Sequence, residues 1–146
     1  MLSESARMSS AAEARFRLQS QPPTTRAIAV ASLDPVSDPL VTRLASSGWQ
    51  GVTFFRATEA LRDVHALAGA DLVVMLAATG TDAHAAALIG QACSDRRVPT
   101  ATFVLRTSEA TEATVSRTLG QVRPWSLMVL VASDEAFVED VLRSFR

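Results

Sequence analysis

Five short apolar runs, separated by segments with helical periodicity, leave this chain few folds to choose from. The runs are AIAVASL (27–33), VTFF (52–55), DLVVMLAAT (71–79), TATFVL (100–105) and SLMVLVAS (126–133). Between them, apolar residues recur three and four positions apart, the spacing of one face of a helix. Leu40, Val41, Leu44 and Ala45 form such a stripe, as do Leu61, Val64, His65 and Ala68. Val115, Leu119 and Val122 form another, and Phe137, Val138, Val141, Leu142 and Phe145 close the chain. Strands that alternate with helices run parallel, because each crossover returns the chain to the same end of the sheet. Helices then cover both faces. The expectation is an α/β protein, flavodoxin-like or Rossmann-like, folded as a three-layer α/β/α sandwich. Residues 26–146 make its single domain, with a five-stranded parallel sheet and five helices.

Right-handed crossovers leave two common strand orders, 2-1-3-4-5 and 3-2-1-4-5. VTFF is short and flanked by polar residues, which suits an edge. DLVVMLAAT is the longest and most apolar run, which suits the centre. The order 2-1-3-4-5 is therefore expected, with 3-2-1-4-5 as the alternative. Local signals set the helix ends. Asp38-Pro39 reads as a cap followed by a proline at the first helical position, and Gly48 as the left-handed stop. Thr58 reads as the cap of the second helix and Gly69 as its end. The third helix reads as Asp82 to Ser94, Ser108 as the next cap, and Pro124 as the stop that follows Arg123. Ser133 or Asp134 caps the last helix, and Arg143 and Arg146 suit the negative end of its dipole.

Composition removes several function classes. Hydrophobic residues make up 48% and charged residues 20%, ordinary values for a globular domain. The net charge of −1 offers no footprint for nucleic acid or an anionic membrane. No run approaches the roughly 20 residues of a membrane span, and the N-terminus carries no apolar secretory core. A cytoplasmic protein is expected. All 14 basic residues are arginine, which removes the lysine of a phosphate loop, of a Schiff base or of a receiver domain. The single cysteine, Cys93, excludes an internal disulfide and a CxxC site. It shares a face with Ala86, Ile89 and Gly90 and reads as a small buried hydrophobe. His65 reads as a partly buried residue at the edge of the core.

Residues 1–25 are rich in Ser, Ala, Arg and Gln and end in Pro22-Pro23. A helix over Ser10–Gln19 has Phe16 and Leu18 as its sizeable anchors. The segment reads as a mobile tail or as an arm that docks on a neighbouring subunit. Its Arg and Ser content also suits a transit peptide, against which Glu4 and Glu13 count.

Ligands of open parallel sheets bind beyond the carboxyl ends of the strands, where the strand order reverses. That point is lined by SLDPVSD (32–38) and ATGTDAH (78–84), which place Ser32, Asp34, Thr79, Gly80, Thr81, Asp82 and His84 there. Arg106 and Ser133 come from the neighbouring strand ends. A helix start with a glycine and two threonine hydroxyls can hold an anion, so nucleotide or phosphate is a possible ligand. Asp82 opposes it by placing a carboxylate on the same helix end. Asp34, Asp38, Asp82 and Asp134 could converge on Mg²⁺, but capping accounts for three of them, and no metal site is expected. Receiver domains share the strand order, yet Thr79 stands where their phosphoacceptor aspartate would. No nucleophile–base pair is evident, and no catalytic residue is assigned.

The segment GADLVVMLAATGTDAHAAALIGQACSDRRVPTATFVL (69–105) resembles the central part of the FtsZ/tubulin GTPase family. There a strand enters a glycine-rich phosphate loop with a TGTG-like core, followed by an Ala-rich helix and another strand. The resemblance covers about a quarter of the chain and implies that Thr79, Gly80 and Thr81 lie on the loop. The loop's glycines are reduced to Gly80, and SLDPVSDP stands in place of the family's glycine-rich first turn. The family's second domain has no room in this chain, and GTPase activity does not follow. Two function classes remain. One is a small non-catalytic regulatory or assembly module that works through protein contacts, with a reduced ligand pocket. The other is a nucleotide- or phosphate-binding enzyme or subunit that uses the Thr79-Gly80-Thr81 turn. The expected partner is a second copy of the chain, in a homodimer built through the N-terminal arm, with a further protein partner possible.

Overall fold

A computed structural model describes residues 26–145, and the N-terminal arm or tail of residues 1–25 lies outside the described residues. Strands β1 (Ile28–Ser32), β2 (Val52–Phe55), β3 (Leu72–Ala78), β4 (Thr100–Leu105) and β5 (Met128–Ala132) form one sheet, all neighbours parallel, in the order β2-β1-β3-β4-β5. The expected order and α/β class are those observed. Strand β3 sits between β1 and β4, pairing Val74 with Val30 on one side and Ala101 on the other. All seven of its residues are buried. At the two edges burial loosens, most visibly at Met128 and Val131 of β5, which are 40% and 43% exposed.

Side chains alternate between the two faces with the period of a strand. Val73, Met75 and Ala77 point into one core with Ala60, Leu67, Ile89 and Val122. Leu72, Val74 and Leu76 point into the other with Leu40, Leu44, Val138 and Leu142. Helices α1 (Asp38–Ala45) and α6 (Glu135–Ser144) cover that second face. The first face is covered by α2 (Ala57–Arg62), α3 (Val64–Leu67), α4 (Ala85–Asp95) and α5 (Glu112–Val122). A 3₁₀ turn, Arg123–Trp125, joins α5 to β5 and takes Pro124.

Among the described residues six helices stand where five were expected, because the backbone at Asp63 (φ −115°, ψ 42°) leaves the helical region and splits the second helix in two. Of the expected stripe Ala68 is buried, as are Ala60 and Leu67 beside it, while Leu61 is 44% exposed and His65 is exposed, not at the core edge. Several caps also move. Arg56, not Thr58, precedes the second helix, and its backbone N–H donates to Glu59 Oε1 (3.1 Å). Thr111, not Ser108, caps α5 by accepting the Thr114 N–H (3.2 Å). Asp38 is the first residue of α1, and its carboxylate reaches across to the Ala57 N–H at the start of α2 (2.9 Å). Asp134 does cap α6, accepting the Phe137 N–H (2.7 Å).

Small residues let α4 lie close to its neighbours. Burial pushes the Cys93 thiol up to about 11, so it stays protonated and inert at neutral pH. At Gly90 a Cβ would fall 2.5 Å from the Cβ of Trp125. Gly90→Val should therefore force α4 and the 3₁₀ turn apart and cost about 2 kcal/mol, measurable by urea denaturation.

Candidate functional site

The strand order reverses between β1 and β3, and one side chain dominates that point. Asp34, just beyond β1, is 2% exposed. The last backbone bond from β1 to β3 here runs from the Leu33 N–H to the Leu76 carbonyl (2.8 Å). Beyond it the chain turns away, and Asp34 Oδ2 takes over by accepting the Ala78 N–H (2.9 Å). Its other oxygen, Oδ1, accepts the Ser37 N–H (2.8 Å) and hydroxyl (3.0 Å). Ser32 Oγ donates to the Asp34 carbonyl and accepts the Asp34 N–H (3.3 Å). An ionised carboxylate only accepts, so these bonds commit both its oxygens to the fold. Ser32 and Asp34 are thus tie points beneath the site rather than groups facing a ligand.

The Thr79-Gly80-Thr81 turn is spent in a similar way. Thr79 is buried, its Oγ1 accepting the Thr107 N–H (3.1 Å) and lying 3.2 Å from the Thr107 hydroxyl. Thr81 Oγ1 donates to the Ala78 carbonyl (2.7 Å). Gly80 adopts φ +84°, a left-handed value that favours glycine, and open space lies beyond it. Helix α4 was expected from Asp82 but begins at Ala85, after His84 as its N-cap residue. Asp82 makes a local turn instead, accepting the His84 N–H (3.0 Å) and a bond from Gln121 Nε2 (3.1 Å). Gln121 in turn accepts the Ala83 N–H (3.0 Å). The His84 backbone bond, and the His84 ring with Nδ1 3.0 Å from the carboxylate, hold Asp82 below the usual carboxylate range. Asp82, Ala83 and His84 therefore separate the glycine turn from the helix start.

Two shallow clefts open at this end of the sheet. The first, about 380 Å³, is lined by Thr79, Gly80 and Thr81 together with Thr107, Glu109 and Thr114. Glu109 is the charged member of its lining, and it is an anion. The second, about 190 Å³, takes Arg43, Arg106, Ser133, Asp134 and Glu135 around the ends of β4 and β5. Its two cations are engaged: Arg43 Nε donates to Glu135 (2.8 Å), and Arg106 pairs with Glu112 (3.3 Å). The bond to Glu135 holds the Arg43 guanidinium above its ordinary range. Val36 and Thr107 line both clefts.

The nine expected site residues are therefore divided. Thr79, Gly80 and Thr81 share one cleft and Arg106 and Ser133 the other, while Asp82 and His84 form an exposed pair outside both. Asp34, Asp38, Asp82 and Asp134 do not converge, since each accepts a different backbone N–H. Among the described residues no group of three His, Cys, Asp or Glu is placed to hold a metal ion. The Arg43–Glu135 pair was not foreseen. Its partners stand 92 positions apart, and no local pattern joins them.

No family profile matches the chain, and no curated protein matches it. Nine chains of solved structures are similar in fold. One is described as a pilus assembly-related protein of Burkholderia pseudomallei, with 17% identity and a TM-score of 0.47. The match covers 85% of this chain and 93% of that one.

Asp34→Ala should leave the buried Ala78 N–H without its partner and cut the tie between the β1 turn and β3. Losing these charge-assisted bonds should cost about 3 kcal/mol, read as a Tm lower by roughly 10 °C. A variant as stable as the parent would show that water or a rearranged backbone replaces the carboxylate.

Proposed function

We propose that this chain is a small non-catalytic module that serves regulation or assembly through protein contacts, in the cytoplasm. One observation carries the reading: the polar groups at the switch point are committed inward. The Asp34 carboxylate and the Ser32, Thr79 and Thr81 hydroxyls all bond within the fold. A phosphate site needs donors and positive charge aimed at the ligand. The cleft beside Gly80 presents Glu109, and the arginines of the neighbouring cleft already have carboxylate partners. What the protein offers a partner is surface rather than chemistry. Leu127, Met128 and Val131 are exposed along the β5 edge, and Val36 is 56% exposed beside the clefts.

A melting titration tests this reading. Millimolar nucleotides or inorganic phosphate, with or without Mg²⁺, should leave Tm unchanged. Binding to the glycine turn would instead add roughly 2.7 kcal/mol at ~100 times Kd. A gain that Gly80→Asp abolishes would replace the module reading with nucleotide or phosphate binding.

The partner in this reading is a second copy of the chain, held through the N-terminal arm. Two-fold homodimers are the commonest closed assembly, and burying one large apolar side chain such as Phe16 or Leu18 is worth roughly 1.5–3 kcal/mol. The full chain should sediment as a dimer at micromolar concentration, and deleting residues 1–22 should move it toward monomer while the far-UV spectrum stays α/β. A monomeric full chain at high micromolar concentration would exclude the dimer.

A further inference from the structure

Strand β5 ends the sheet, and among the described residues no strand pairs with its outer edge. Edge strands are ordinarily protected by charge, by proline or by a covering loop. The stretch from Ser126 to Ser133 holds neither a charge nor a proline, and Met128 and Val131 are 40% and 43% exposed. The Arg106 N–H donates to the Ala132 carbonyl (2.8 Å), so Ala132 turns its backbone toward β4. Successive strand residues turn their backbone groups to opposite edges, which leaves those of Val129 and Val131 on the open one.

The helices beside this edge carry a matching pattern. In α5, Glu112, Ser116, Leu119 and Arg123 recur at the spacing of one helix side, which Arg123 prolongs with helical angles (φ −55°, ψ −43°). Gln121, on the opposite flank, bonds to Ala83 and Asp82 ahead of α4, so the Glu112 side is turned toward the open edge. An acid thus begins this side and a base ends it. Glu112 pairs with Arg106 yet stays 89% exposed, and Arg123 has no ion pair among the described residues. On the other face of the sheet, Glu135 and Arg143 of α6 bond toward α1, to Arg43 and to the Ser47 carbonyl. Phe137, Val141 and Ser144 take the side turned away from α1, with Phe137 40% exposed. Of the remaining acids of α6, Glu139 is held by Arg143, and Asp140 lies opposite the buried Val138 and faces solvent.

We infer that the β5 edge is the contact between two copies of this chain, paired antiparallel about a two-fold axis at Leu130 so that the two sheets become one. Val129 exchanges its backbone bonds with Val131 of the second copy, and the uncharged strand lies against itself. The same axis sets the Glu112 end of each α5 beside the Arg123 end of the other. The charges choose the occupant: an antiparallel copy supplies a base for the acid and an acid for the base by symmetry alone. The inference rests on the homodimer reading for the second copy and not on the N-terminal arm.

The test uses the full chain in sedimentation and in cross-linking. Val131→Lys, at an exposed position, should keep the far-UV spectrum and weaken the dimer about tenfold, because the contact would bury an unpaired charge. Leu130→Cys should form a disulfide-linked dimer on mild oxidation, since residues facing each other on the axis have Cα atoms about 4.5 Å apart, within disulfide reach. Met128→Cys, off the axis, should not link, and the native Cys93 is buried. A dimer that Val131→Lys leaves intact overturns the inference, as does a dimer in which Leu130→Cys fails to link or Met128→Cys links equally well. Deleting residues 1–22 separates this contact from the arm. If the dimer survives the deletion but not Val131→Lys, the edge stands and the arm has no part in the dimer. If it survives Val131→Lys but not the deletion, the arm stands and the edge contact falls. A full chain that is monomeric at high micromolar concentration overturns both.

Discussion

Burial of β3 on both faces is the constraint on which the rest of this structure depends. Seven successive residues from Leu72 to Ala78 are shielded from water, so both faces of the strand need a helical layer and both its backbone edges need a partner strand. Strands β1 and β4 satisfy the edges, and the two helix layers satisfy the faces. The central position then fixes where the strand order reverses. The candidate site is a consequence of this burial and is not an independent feature of the fold.

A reversal in strand order leaves backbone groups where adjacent chains diverge, and those groups are what ligands of such sheets commonly exploit. In this protein an internal carboxylate occupies that role. Asp34 extends the β1–β3 ladder by one bond and holds the turn to Ser37, and the Thr79–Thr107 contact does the same between the ends of β3 and β4. These bonds tie the strand ends to one another within the fold. The chemistry of the carboxyl end thus favours rigidity. Exposed apolar residues lie along β5, at Leu127, Met128 and Val131, and also beside the carboxyl-end clefts, at Val36.

The strand pattern was readable because its signal is local and strong. An apolar run of seven residues bounded by polar turns has one comfortable place in a parallel sheet, and VTFF suits an edge for the converse reason. Helix starts were less readable. Thr58, Ser108 and Asp82 are good capping residues with helical sequence after them, yet the chain uses Arg56, Thr111 and His84 at those positions. Capping preferences are worth about 1 kcal/mol, less than the packing that decides where a helix must begin. Asp38 shows the same ordering of effects: its carboxylate serves the start of a neighbouring helix 19 residues away. The expected site residues lie at the carboxyl end of the sheet, but their division into two clefts, a buried tie and an exposed pair depends on contacts such as Arg43–Glu135 that no local pattern encodes.

By itself the sequence determined the class of fold, the parallel sheet and the place of its centre and edge, since these follow from the period and length of the apolar runs. It also determined which chemistries were absent, because a chain without lysine and with one cysteine cannot supply them. Only the tertiary structure decided what the polar residues at the switch point do. Asp34, Thr79 and Thr81 could face a ligand or the fold, and that choice turns on the positions of the Ala78 and Thr107 N–H groups and the Ala78 carbonyl. Those positions are set by how β3 and β4 end in register, and a hydrogen bond formed or missed over a fraction of an ångström is a property of packed strands, not of residue order.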